Sequence, residues 1–185
     1  MEACFQLVAD CPSGKINAEQ AVKWQPPDHG TLKVNTDGAF LPCVESGATG
    51  AVLRDSDGNL RMASARWIDL VGSALLAEVE ALRDGVRLIL AGTREHIIME
   101  TDSLVLVSLW RDRDKHRSKV GVIKDEVAVL ASAFTSFRIV FTKRVANFAA
   151  HLCAKQALDC KQNCVWLSAP SFLQQCLQLD YIVST

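Results

Sequence analysis

The sequence has no uninterrupted apolar run of the length that crosses a bilayer, and its start, Met1 to Cys11, lacks both a basic opening and a sustained apolar stretch. The first absence excludes a helical membrane span and the second a secretory signal, so a soluble intracellular protein is expected, with its compartment left open. A surplus of charge is also missing: 20 Lys and Arg face 21 Asp and Glu, for a formal net charge of -1. That balance excludes a polycation, and any nucleic-acid contact must come from a local basic patch. The seven cysteines are odd in number and contain no C-x-x-C pair, which argues against a disulfide framework or a structural zinc site. Cys160 and Cys164, one helical turn apart, read as buried thiols. There is no internal repeat and no low-complexity tract.

What is present is a chain of 185 residues, 49% hydrophobic, enough for one domain with a sizeable core and short flanks. Residues 1–23 show no clear periodicity and read as a lead-in, residues 24–160 as the domain, and residues 161–185 as an appendage docked on it. Leu32, Val34 and Thr36 alternate with Lys33, Asn35 and Asp37, the period of a strand, and Gly38 allows a sharp exit or a close backbone approach. Asp37 is thus expected where the first strand ends, although an Asp beside a Gly is also plain turn chemistry. Two further strands, Gly47 to Arg54 and Leu60 to Trp67, flank an Asp-Gly hairpin signal. Asp55, Asp57 and Asn59 imitate the opening of a calcium loop, but Leu60 and Arg66 stand where a Gly and a bidentate Glu are needed, so calcium is rejected.

From Ser73 to Ala91 the pattern turns helical, with Leu75, Val79, Leu82, Val86 and Ile89 on one face and Gly92 as a stop. Glu78 lies roughly 60° from the centre of that face and Glu80 roughly 140°. Glu80 should therefore point to water, while Glu78 borders the buried stripe, where a carboxylate needs solvent, a partner such as Arg83, or a bound cation. His96 to Thr101 is a fourth strand ending on Asp102-Ser103, either of which could simply cap the helix that starts at Leu104. The loop from Arg111 to Lys119, with Arg113, Lys115 and Arg117, is the one concentrated basic patch, or a solvated connection. A helix over Val120 to Ala133, a strand over Phe137 to Thr142 and a last helix opening at Arg144 complete an α/β order of three antiparallel strands and two helix-linked parallel strands. If the first and fourth strands are neighbours, Asp37 and Asp102 meet beyond their ends, and clustered carboxylates call for a divalent cation.

The runs VNTDGAF, AEVEAL, METDS and RVANFAAH, in that order, resemble the type 1 ribonuclease H fold. They look closest to the plant group related to the ribonuclease H modules of retrotransposons, which often opens with a lead such as Trp24 to Gly38. The resemblance covers about Trp24 to Ala157. It implies a five-stranded mixed sheet flanked by helices, and an endonuclease that uses two Mg²⁺ ions, with Mn²⁺ as an alternative, to hydrolyse the RNA strand of an RNA/DNA hybrid. On this resemblance Asp37, Glu78 and Asp102 are metal ligands and Asn147 helps address the substrate. The backbone at Gly38 and Ala39 and the side chain of Ser103 face the nucleic acid, and Arg113, Lys115 and Arg117 form a basic substrate handle. A monomer is expected, with no membrane partner.

The resemblance departs at the fourth acidic position, where His151 stands in place of Asp. An imidazole brings no negative charge and suits Mn²⁺ better than Mg²⁺; His151 is left as a proton shuttle or a packing residue. The loop histidine of the bacterial enzymes has no counterpart among Lys143 to Ala146. Two alternatives remain, a catalytically inactive nucleic-acid-binding module derived from a retroelement and a nuclease acting on another substrate.

Overall fold

Both faces of the first strand are covered, which decides the architecture. The computed structural model describes residues 23–89, 95–112 and 118–181. Strands β1 (Thr31–Leu41), β2 (Ser46–Arg54) and β3 (Leu60–Ile68) form the antiparallel meander. Helix α1 (Ala74–Leu88) crosses to β4 (His96–Thr101), and α2 (Leu104–Arg111) with α3 (Lys119–Ala131) crosses to β5 (Ser136–Phe141). Both of these strands run parallel to β1, as the topology predicts. Helix α4 (Phe148–Cys160), a short β6 (Cys164–Trp166) and α5 (Ser171–Tyr181) follow, and the sheet order is β5-β4-β1-β2-β3-β6.

The sheet therefore has six strands where five were expected. The sixth is three residues long, too short to show a period, and is held by its antiparallel ladder to Ala63, Ser64 and Ala65. The tail read as an appendage carries that strand and an 11-residue helix. The pair Cys160 and Cys164 does not share a buried helical turn: Lys161 takes a left-handed conformation, α4 stops, Cys160 is exposed and Cys164 is half-buried on β6.

Apolar side chains build two cores, one on each face. Val34, Leu53, Val79, Leu82, Val86, Met99, Val107, Val127 and Ile139 pack between the sheet and α1, α2 and α3. Ala48, Val52, Ala63, Ala149, Cys153, Ala157 and Leu173 pack between the sheet and α4 and α5. The helices sit close because small residues line the contacts. A Cβ on Gly38 would lie 2.4 Å from the carbonyl carbon of Ala77, and one on Gly50 would lie 2.1 Å from the carbonyl oxygen of Ala150. Glu80 does not point to water; it pairs with Arg66 and Arg83, so the Arg83 considered as a partner for Glu78 is engaged elsewhere. Among the described residues no helix is long and apolar enough to cross a membrane.

Candidate metal and nucleic-acid site

The β1–β4 ladder ends at Thr36 and Thr101, so the next residue on each strand, Asp37 and Asp102, reaches the same end of the sheet. Asp37 is not strand-terminal, as the sequence suggests; β1 continues to Leu41, paired throughout with β2. The sheet splits at Asp37, β4 turning away through Asp102 while β1 stays with β2. Gly38 serves as the close approach: α1 rests against it, and its N–H donates to Glu78 Oε2 at 3.2 Å. Three elements thus deliver three carboxylates, and one oxygen from each of Asp37, Glu78 and Asp102 lies within 4.8 Å of the others.

Like charges at that spacing, partly out of water, resist ionisation. Burial, reinforced by the charges of Asp37 and Asp102, pushes Glu78 up to about 8 against the opposing pull of the Gly38 N–H and Arg144. Asp37 is also raised, first by its burial, while the hydrogen bond to His151 acts the other way. A cation relieves both effects. The donor set is made of oxygens alone and opens on a cleft of about 390 Å³ between the starts of α1 and α2, lined by Leu75, Glu78, Asp102, Ser103, Leu104 and Arg144. Carboxylate oxygens with room for water fit a hard divalent ion such as Mg²⁺ or Mn²⁺.

His151, on the first turn of α4, brings Nδ1 to 3.0 Å from Asp37 Oδ2. The same nitrogen lies 3.0 Å from an Nη2 of Arg144, and Arg144 Nη1 donates to Asp102 Oδ2 at 3.3 Å. A ring nitrogen either donates or accepts, so Nδ1 serves Asp37 in one tautomer and Arg144 in the other. Arg144 does not open the last helix, which starts at Phe148; it lies in the turns before α4, and nothing in the sequence beyond its place at the head of RVANFAAH points to this bridge.

Asn147 is fully buried. Its Nδ2 donates to the Thr36 carbonyl at 2.9 Å and to Asp102 Oδ1 at 3.3 Å. Its Oδ1 accepts from Asn35 at 3.2 Å. Asn147 therefore touches the cluster from beneath, through Asp102, and offers no free group to the cleft. Ser103 caps α2 by accepting from the Leu106 N–H at 3.2 Å, and Ala39 lies on β1 just past Gly38. Arg113, Lys115 and Arg117 lie outside the described residues.

The six-stranded mixed sheet with helices on both faces and carboxylates at the β1–β4 split is a ribonuclease H fold. The N-terminal RNase H domain of a Mycobacterium tuberculosis protein superposes with a TM-score of 0.63 at 21% identity, covering 70% of this chain and 94% of that one. RNase H1 of the halophilic archaeon Halobacterium salinarum gives 0.63 at 21% identity, with 70% and 98% covered. An RNase H1 from compost, solved in complex with an RNA/DNA hybrid, gives 0.61 at 20% identity, again with 70% and 98% covered. Residues 35–157 match the family model described as reverse transcriptase-like, and the chain belongs to that family. No curated protein matches the sequence.

Proposed function

We propose that the protein is an endonuclease that hydrolyses the RNA strand of RNA/DNA hybrids, with Asp37, Glu78 and Asp102 holding two divalent ions, Mg²⁺ or Mn²⁺. The convergence of three carboxylate oxygens within 4.8 Å carries this reading. Bound ions supply the charge that makes a water acidic enough to attack phosphorus and that stabilises the departing 3′ oxygen. The chain's own residues do the rest. Asp37 and Asp102 orient from the two diverging strands, Glu78 is held by the Gly38 N–H, and His151 sits against Asp37 where it can hold a proton. The backbone at Gly38 and Ala39 and the hydroxyl of Ser103 would meet the RNA strand, whose 2′-hydroxyl tells it from DNA. Arg113, Lys115 and Arg117 would hold phosphates of the partner strand; reversing their charges should lower hybrid affinity and flatten its salt dependence.

A second reading, a non-catalytic hybrid-binding module, draws on the fourth position, where His151 and Arg144 already engage Asp37 and Asp102. Incubation of a labelled hybrid in Mg²⁺ and in Mn²⁺, with Asp37→Asn alongside, separates the two. Cleavage by the native chain that is lost in Asp37→Asn supports the nuclease; hybrid binding without cleavage in either metal supports the module.

A further inference from the structure

We propose that Arg54 is a positioning residue for this site, acting on Asp102 through Asn35 and Asn147, and that helix α5 belongs to the site because Asp180 anchors Arg54. The inference rests on the reading of Asp37, Glu78 and Asp102 as metal ligands.

Arg54 closes β2 just past an irregularity in the β2–β3 register and is 1% exposed. Its Nη1 donates to Asp180 Oδ2 at 2.7 Å and its Nη2 to Asn35 Oδ1 at 2.9 Å. Its Cζ lies over the Trp24 ring, 3.5 Å from the centroid. A guanidinium has donors only, so it holds Asn35 Oδ1 as an acceptor. The Asn35 amide must then face the other way, and its Nδ2 donates to Glu100 Oε2 at 2.9 Å and to Asn147 Oδ1 at 3.2 Å. That contact makes Asn147 Oδ1 an acceptor too, which turns Asn147 Nδ2 onto the Thr36 carbonyl and Asp102. Donor and acceptor alternate along the whole chain, so that an N–H is aimed at the Asp102 carboxylate. Reversal of Asn35 would set oxygen against oxygen at Glu100, Ala146 and Asn147, and reversal of Asn147 would do so at Thr36 and Asp102.

The relay also explains features that the chemistry of the cleft leaves unused. Arg54 is among the largest fully buried side chains, and among the described residues its Nε has no hydrogen-bond partner. A purely structural ion pair gains little over an apolar replacement at such a position. Both groups that hold the outer end, Trp24 before β1 and Asp180 on α5, lie beyond residues 35–157, the span that matches the family. The flanking segments thus complete the support of a ligand inside that span.

The test is a double-mutant cycle read as Mn²⁺ affinity by titration calorimetry on the full chain, at a temperature where circular dichroism shows every variant folded. Removing a group that orients a ligand directly weakens metal affinity about 10–100-fold, so Asn147→Ala should fall in that range. Arg54→Met keeps most of the side-chain volume and should weaken Mn²⁺ binding roughly 3- to 10-fold, a step further from the metal. The double variant should then bind about as Asn147→Ala alone does, because both act through one path. Val127→Ala, which opens the core under α3 on the other face of the sheet, should leave affinity unchanged. Asp180→Asn, a milder change, should shift the Asn35 and Asn147 side-chain amide NMR signals and weaken binding in the same direction. Additive losses in the cycle, an equal loss in Val127→Ala, or unmoved amide signals in Asp180→Asn would overturn the relay. If native protein binds no Mn²⁺, or Asp37→Asn binds it as well, the metal-site reading itself fails.

Discussion

Asp37 and His151 meet across the β1–α4 interface, Oδ2 to Nδ1 at 3.0 Å, so the imidazole leans on the most buried of the three clustered carboxylates. His151→Asp would set a fourth carboxylate beside the other three. Added ligand charge tightens hard-cation binding, so Mg²⁺ affinity should rise by about tenfold, while the metal-free protein loses stability from the extra repulsion. Calorimetric titration and thermal unfolding in chelator read the two effects separately.

Glu78 holds its proton up to about 8 in the folded chain, while the unfolded chain releases it near 4.5. Between those values the native state binds more protons than the unfolded state, so stability falls as pH rises. Without metal, the melting temperature should decline across that window, and Glu78→Gln should flatten the decline. Magnesium added at the alkaline end should restore the native protein, because a ligand of the folded state alone stabilises it.

Arg144 spans Asp102 and His151 with a side chain 62% exposed. Its positive charge opposes an incoming divalent ion and attracts phosphate. Arg144→Ala should therefore bind Mg²⁺ more tightly and the hybrid more weakly, with the salt slope of hybrid binding reduced by about 1. Tighter hybrid binding in the variant would show that Arg144 only covers the carboxylates.

Gly38 and Gly50 leave no room for a methyl group. At each the nearest atoms are backbone, at 2.4 Å or less, and cannot rotate away. Alanine at either position should cost about 1–3 kcal/mol or more in denaturant unfolding. Gly38→Ala should also weaken metal affinity beyond its effect on stability, since it pushes α1 and Glu78 off β1.

Asp37→Asn should keep the fold and reduce hybrid cleavage by roughly 10³-fold, the scale of several kcal/mol of metal-derived stabilisation. A single-turnover assay with saturating Mn²⁺ measures it. Retained cleavage would move the chemistry away from these carboxylates.

Much of this was written in local pattern. The alternation through Leu32, Val34 and Thr36, the stripe from Leu75 to Ile89 and the order of the three acidic motifs were enough to place three carboxylates on two strands and a helix. Those features depend on near neighbours in the chain, and period and turn chemistry report such neighbours directly. The destination of Glu80, the three-residue β6, the helix of the tail and the Arg144 bridge were not legible, because each depends on which neighbouring strand or side chain the packed fold brings alongside.

By itself the sequence determined which residues carry charge, which elements they ride on and which way those elements run. Tertiary structure alone decided that Asp37 sits inside a strand rather than at its end, that Asn147 faces Asp102 from below, and that Arg54 joins a C-terminal helix to the centre of the sheet. The physical reason is that a buried polar group must find its partner wherever the packed chain supplies one, at a sequence distance that no local period encodes.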